Sequence, residues 1–254
     1  MDVTTKRARF RQLHQSGCFL LPNPWDVGSA KRLEAMGFVA LASTSSGSAW
    51  ALGVEDGQLS RDEVLRHIES LCAATSLPVI ADFECGFGNT PLEVFKSVQL
   101  AIETGIAGLS IEDYDGSELF SKNEAVERLR AAREAINQSG HEVVLVARSE
   151  GFIRNRPDLG ETIQRIVAFR DAGADCLYTP GVSDLKAMEE IVASVAPAPV
   201  NALLLPTLTV SQLEDVGVRR ISVGGALARH ARAAFEEAAK AFLAQGTLWP
   251  KARK

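Results

Sequence analysis

The stretch PVIADFECGFGNTPLEVF, residues 78–95, decides the fold. It opens on an apolar run, Pro78 to Ala81, meets two carboxylates, Asp82 and Glu84, and turns through Gly86 and Gly88. Thr90 and Pro91 then set an N-cap before a proline at the first helical position. An apolar run, an acidic glycine-rich turn and a helix make one βα unit. A run with no polar alternation suits a parallel strand buried on both faces.

The same unit recurs along the chain. Apolar runs lie at Phe19–Leu21, Phe38–Ala42, Pro78–Asp82, Ala107–Glu112, Val143–Arg148, Asp175–Tyr178, Pro199–Leu204 and Arg220–Val223. Helices are predicted from near Asp26, Ser60, Pro91, Asn123, Asp158, Asp184, Thr209 and Ala226. Ser60 and Glu63 have the spacing of a capping box. Gly37, Gly105, Gly173 and Gly217 stand where helices stop before the next strand. Eight βα units in 254 residues point to one closed (β/α)8 barrel of the TIM type. It is expected to span residues 1–254 as a single domain, with 246–254 a loose tail. The first turn lacks G-x-G-x-x-G, which disfavours a dinucleotide site.

The 27 basic and 32 acidic residues leave a net charge of −5. No nucleic-acid partner is expected from that balance, because such a partner needs a basic face. Four cysteines occur without a C-x-x-C pair, so zinc is not expected, and the three in or near apolar runs read as small core residues. The N-terminal segment has no apolar signal core, and no run approaches the roughly 18 apolar residues of a membrane span. A cytoplasmic protein without membrane partners is the expectation.

Active sites of such barrels lie at the C-terminal strand ends. The second run ends in Ser43-Thr44-Ser45-Ser46-Gly47, the third in Asp82-Phe83-Glu84, the fourth in Glu112-Asp113, the fifth in Arg148-Ser149-Glu150, and the seventh holds Asn201. Asp82, Glu84, Glu112 and Asp113 would crowd one rim and repel. A hard divalent ion with oxygen ligands relieves that crowding. On an extended strand Asp82 and Glu84 would face the same side. Arg148 could clamp a substrate carboxylate through both guanidinium edges. No Lys ends a strand for a Schiff base, and none of His14, His67, His141 and His230 stands at a strand end to activate a nucleophile. Gly224-Gly225 reads equally as a phosphate loop or a tight turn.

These residues resemble a known group. Residues 82–89 are similar to the D-x-D-x-G-Y-G-N motif of the isocitrate lyase/phosphoenolpyruvate mutase superfamily. Residues 108–113 resemble its G-x-x-I-E-D motif, and residues 147–150 its A-R-T-[DE] segment. The resemblance runs from about residue 18 to 235. It implies an α/β barrel whose last helix is swapped between subunits of a homodimer or homotetramer. It also implies Mg2+ or Mn2+, and C–C or C–P chemistry beside a small anionic 2-oxo acid or its enolate. By position Asp82 would bind the metal directly, and Glu84, Glu112 and Asp56 would hold its waters. Backbone amides around Ser45, Ser46 and Gly47 would take the substrate carboxylate, with Asn201 also on the substrate. Arg148 would bind the carboxylate and oxo oxygen, acting with Asp56 and Glu112 as the catalytic set.

The chain departs from the pattern twice. Glu84 replaces the usual Asp. After Asp113 the chain reads Tyr114-Asp115-Gly116-Ser117-Glu118-Leu119-Phe120-Ser121-Lys122-Asn123, with no K-[KR]-C-G-H loop. Without that proton-donating Cys, isocitrate and methylisocitrate are disfavoured as substrates, and Asn123 reads as a helix cap. The expectation is a Mg2+-dependent lyase or decarboxylase of a 2-oxo or 2-hydroxy acid. The alternatives are phosphonopyruvate C–P chemistry and a non-catalytic 2-oxo acid-binding barrel. From Ala226 to Leu243 the last helix presents a wide small-and-apolar face, which favours homo-oligomerisation.

Overall fold

The computed structural model describes residues 1–248. The elements run α1 (Val3–Leu13), β1 (Phe19–Leu21), α2 (Val27–Ala35), β2 (Leu41–Ala42), α3 (Ser45–Ala51), α4 (Arg61–Ala74), β3 (Val79–Asp82), α5 (Pro91–Glu103) and β4 (Gly108–Glu112). They continue as α6 (Lys122–Ser139), β5 (Val144–Arg148), α7 (Leu159–Asp171), β6 (Cys176–Tyr178), α8 (Leu185–Val195), β7 (Val200–Leu203), α9 (Val210–Asp215), β8 (Arg220–Ser222) and α10 (Ala226–Gln245). All eight strands fall within the predicted runs. They pair in parallel in the order β1-β8-β7-β6-β5-β4-β3-β2. The ends of that sheet meet where Ala42 N donates to Pro22 O at 3.0 Å. The fold is a (β/α)8 barrel.

Strand alternation sorts the side chains. On β5, Val144 and Val146 enter the lumen while Leu145 and Ala147 pack beneath the helices. The same period carries Arg148 inward, and likewise Asp82, Asn201, Arg220 and Ser222, all of which line the lumen cavity. Gly108 is a close-approach position. A Cβ there would stand 2.9 Å from Val144 O and 3.1 Å from the Phe10 ring.

Two helices were not foreseen. In α1 the buried residues are Lys6, Arg7 and Phe10, so no apolar stripe marks it. Lys6 Nζ donates to Cys72 O at 2.9 Å and Thr75 O at 2.7 Å. Arg7 donates to Ile106 O at 2.9 Å and Ile102 O at 2.8 Å. These cations satisfy carbonyls left at and beyond the ends of α4 and α5, each bond being worth about 1.5–3 kcal/mol. Phe10 meanwhile joins the lumen core. The serine-rich α3 reads as a turn in sequence. Thr44 caps it, and Ser48 Oγ donates back to Thr44 O and Ser45 O at 2.9 Å.

The cap before α6 is Ser121, whose Oγ accepts from Glu124 N at 3.2 Å. Asn123 is inside the helix, so the expected cap is displaced by two residues. Of the predicted tail, residues 249–254 lie outside the described residues. Among the described residues no helix is long and apolar enough to cross a membrane.

Candidate active site at the C-terminal mouth of the barrel

Arg148 ends β5, and its guanidinium collects carboxylates from three strand ends. Nη1 donates to Asp82 Oδ1 at 2.6 Å. Nη2 stands 3.1 Å from Glu112 Oε2 and 2.9 Å from Glu150 Oε1. Nε donates to Glu150 Oε1 at 3.0 Å, and Tyr178 lies under the cation, 5.3 Å from carbon to ring centre. Burial pulls the Arg148 pKa down, but Glu112, Glu150 and Asp82 more than offset it, and the net shift is well upward.

Asp82 is fixed by more than Arg148. Its backbone N–H donates to Ser43 Oγ at 2.8 Å, and Oδ2 accepts from Ser45 N at 3.1 Å. Glu150 is fully buried. Arg154 Nη2 lies 3.2 Å from Glu150 Oε2, an ion contact outside hydrogen-bond geometry that leaves this oxygen without a hydrogen bond. The same nitrogen is 3.7 Å from Glu112 Oε1, and Arg154 stacks on Tyr114 at 4.0 Å.

The two remaining carboxylates expected on the rim behave differently. Asp113 turns away from the lumen. Its Oδ1 accepts from Glu150 N at 2.8 Å and its Oδ2 from Arg165 at 3.2 Å. Strand alternation after Glu112 sends it outward, and burial pushes its pKa up to about 6. Glu84 is near Asp82, but not by the extended-strand route expected. β3 ends at Asp82, and Glu84 has φ +45°, a left-handed conformation uncommon without glycine. Burial, then Asp82 and Asp56, push its pKa up to about 7. Among the described residues the Glu84 carboxylate has no ion pair.

The loop bearing Glu84 is tied down from α6. Arg128 Nη2 donates to Cys85 O at 2.8 Å and Gly88 O at 2.6 Å, and the guanidinium lies over Phe120 at 4.3 Å.

A cavity of about 1020 Å3 opens above Arg148 and extends into the lumen. Ser45, Ser46, Asp56, Asp82, Arg148 and Asn201 line it. Gly47, Glu84 and Glu112 do not line it. The Gly47 amide already donates to Thr44 Oγ1 at 3.3 Å, and a Cβ at Gly47 would fall 2.9 Å from Trp25 Cβ. Asn201 is deep and engaged, accepting from Arg220 Nε at 2.9 Å and donating to Ser222 Oγ at 3.0 Å. Sequence reasoning did not single out Tyr178, Arg220 or Ser222. Their signal was a polar side chain at every second position of an apolar strand.

Among the described residues no three acidic, histidine or cysteine side chains converge closely enough to hold a metal by themselves. The donor set nonetheless fits a hard cation that keeps several waters. Among the described residues Asp82, Glu112 and Glu150 pair with Arg148 and Arg154, whereas Glu84 and Asp56 have no ion pair and repel each other and Asp82, so the excess negative charge falls on the Asp82–Glu84–Asp56 side.

A family model described as phosphoenolpyruvate phosphomutase matches residues 10–243. The crystal structure of a candidate lyase/mutase from Burkholderia cenocepacia J2315 is 43% identical, with a TM-score of 0.94 over 97% of this chain and 91% of that one. A 2-methylisocitrate lyase from Halalkalibacterium halodurans is 28% identical over 94% of this chain and 82% of its own length. Oxaloacetate decarboxylase 2 from Pseudomonas fluorescens is 27% identical over 81% of this chain and 72% of its own. These two curated relatives are named for a carbon–carbon lyase and a decarboxylase, and the chain belongs to the phosphoenolpyruvate phosphomutase family of the isocitrate lyase/phosphoenolpyruvate mutase superfamily.

Proposed function

We propose that the protein is a Mg2+-dependent lyase or decarboxylase that breaks a C–C bond next to the carbonyl of a small 2-oxo or 2-hydroxy acid. The observation that carries this reading is the guanidinium of Arg148 at the cavity wall, held by Asp82, Glu112 and Glu150. A planar cation so held is preorganised for the carboxylate and oxo oxygen of a 2-oxo acid.

Asp82 would hold the Mg2+ directly, with Glu84, Glu112 and Asp56 on its waters. When bound, the ion supplies Lewis-acid polarisation of the carbonyl. The chain's own residues do the rest. Backbone amides at Ser45 and Ser46 take the substrate carboxylate, Ser45 exchanging for it the bond it gives to Asp82 Oδ2, and Arg148 binds the oxygen on which charge grows. As the C–C bond breaks, its electron pair passes into the enolate, and Arg148 holds the negative oxygen. In a decarboxylation carbon dioxide leaves, and the enolate carbon then takes a proton from water. No cysteine loop is needed for that last step. Methylisocitrate and isocitrate are therefore not the substrates proposed, although several relatives bear the former activity in their names.

Calorimetric titration of oxalate, a mimic of the pyruvate enolate, tests the reading with Mg2+ and again with EDTA. Binding that requires Mg2+ is expected, followed by turnover of oxaloacetate in a substrate screen. Turnover of phosphonopyruvate alone would shift the assignment to C–P chemistry. Folded protein that binds oxalate in neither condition would be a barrel with a structural acidic rim.

A further inference from the structure

The lumen holds a second arginine below the rim. Arg220 on β8 is 3% exposed and lines the same cavity as Arg148. Register places the two in one continuous row across four strands, Arg148 beside Tyr178, Tyr178 beside Asn201, and Asn201 beside Arg220.

Its partners set it apart. Arg148 meets three carboxylates. Arg165 meets Asp113 and Glu161. Arg7 and Arg128 each meet two backbone carbonyls. Arg220 has one amide oxygen, Asn201 Oδ1, and one imidazole nitrogen, His14 Nε2 at 3.4 Å. His14 brings no negative charge. With the proton on Nδ1 it donates to Phe10 O at 2.8 Å, leaving Nε2 to accept. Among the described residues no carboxylate is paired with Arg220. A cation taken out of water without an anion is costly, and this one faces a cavity able to admit an anion. Its surroundings are also built: Ser222 Oγ accepts from the Asn201 amide at 3.0 Å.

We propose that Arg220 is a second carboxylate-binding residue, so that the cavity takes dicarboxylic acids with one end at Arg148 and the other at Arg220. This rests on the reading above for the Arg148 end.

Calorimetry on the wild type and on Arg220→Met, both with Mg2+, tests it. The ligands are the unsubstituted dicarboxylates from malonate to adipate, each against the monocarboxylate of equal chain length, with oxalate as control. At least one dicarboxylate should bind the wild type about tenfold more tightly than its monocarboxylate, the scale of one charge-assisted contact. Arg220→Met should abolish that preference while oxalate affinity stays within about twofold, since oxalate needs only the rim. No preference in the wild type, or one that survives in Arg220→Met, overturns the proposal. Should that variant fail to fold, Arg220→Lys serves, because its head cannot make the two-pronged contact. A preference cut severalfold supports the proposal, and an unchanged one overturns it. Dicarboxylate binding that depends on Arg220 in a protein blind to oxalate would overturn the rim reading together with the Arg148 end of this proposal, and would support only its Arg220 end.

Discussion

Arg148 Nη1 reaches over β4 to Asp82 Oδ1 at 2.6 Å, joining β3 to β5 across the mouth of the barrel. The pair is asymmetric. Asp82→Asn leaves Arg148 with Glu112 and Glu150, whereas Arg148→Met leaves three carboxylates facing one another. Loss of one partner from a buried ion pair costs about 3–5 kcal/mol. Arg148→Met should therefore lose about that much stability in urea, and Asp82→Asn less than about 1.5 kcal/mol. Both should lose Mg2+-dependent oxalate binding. Equal stabilities for the two variants would show that Asp82 is the main counterion of Arg148.

Glu84 is strained and repelled at once. Its φ of +45° places it where asparagine is at home, and Asp82 and Asp56 oppose its charge. Glu84→Asn should raise thermal stability by about 1 kcal/mol while weakening Mg2+-dependent oxalate binding at least about tenfold. A variant that gained stability and kept full binding would remove Glu84 from the proposed metal shell.

Arg128 should act on the same loop from a distance. Arg128→Met orphans the carbonyls of Cys85 and Gly88, a cost of about 2–4 kcal/mol. Its effect on turnover should appear as a loss of kcat that added Mg2+ only partly restores, because Glu84 is no longer held in place. Unchanged kcat in a folded variant would confine Arg128 to stability.

The barrel was legible because eight apolar runs, each ending in a polar turn, leave few other architectures. Asp82, Arg148 and the Ser45–Ser46 turn were readable because they end such runs. What escaped lies where a polar residue does a core residue's task. Lys6 and Arg7 bury their charges on helix-end carbonyls, so α1 has no stripe. Arg220 and Ser222 sit inside a strand whose outward neighbour, Ile221, looks like any core residue. The extended-strand geometry assumed for Glu84 failed because periodicity says nothing about a left-handed residue just past a strand end.

His14 sets the sign of an acid limb. Burial first, then the Arg220 charge, lower its pKa to about 3. The unfolded chain takes up that proton near pH 6.5, so between about 6.5 and 3 it binds more protons than the native state. Stability due to this site must then fall as pH falls, by up to about 1.4 kcal/mol per pH unit. Glu84, with its pKa raised, works in the opposite direction between its ordinary value and about 7. The clean measurement is the difference between His14→Asn and the wild type in urea from pH 7 to pH 4. The variant should lose less stability on acidification, and parallel curves would mean that His14 is protonated in the fold.

The helix α10 stands apart from its own barrel. Of its 20 residues only Ala228 and Ala241 are buried, while Phe235, Phe242 and Leu243 are 72%, 62% and 90% exposed. At its start Arg229 lies over Trp50 at 5.5 Å and Gly225 sits close against Ser46 Oγ. Two phenylalanines and a leucine so exposed make an apolar surface of the kind that marks an interaction site. We propose that a second copy of the chain covers it, each α10 packing on the other's barrel, in a homodimer or a tetramer built from such pairs. Light scattering should give at least twice the monomer mass, and Phe235→Glu with Phe242→Glu should reduce it to the monomer. Because α10 begins at the cavity rim, the separated monomer should also bind oxalate more weakly. A wild-type protein that is monomeric at micromolar concentration would return α10 to its own barrel in solution.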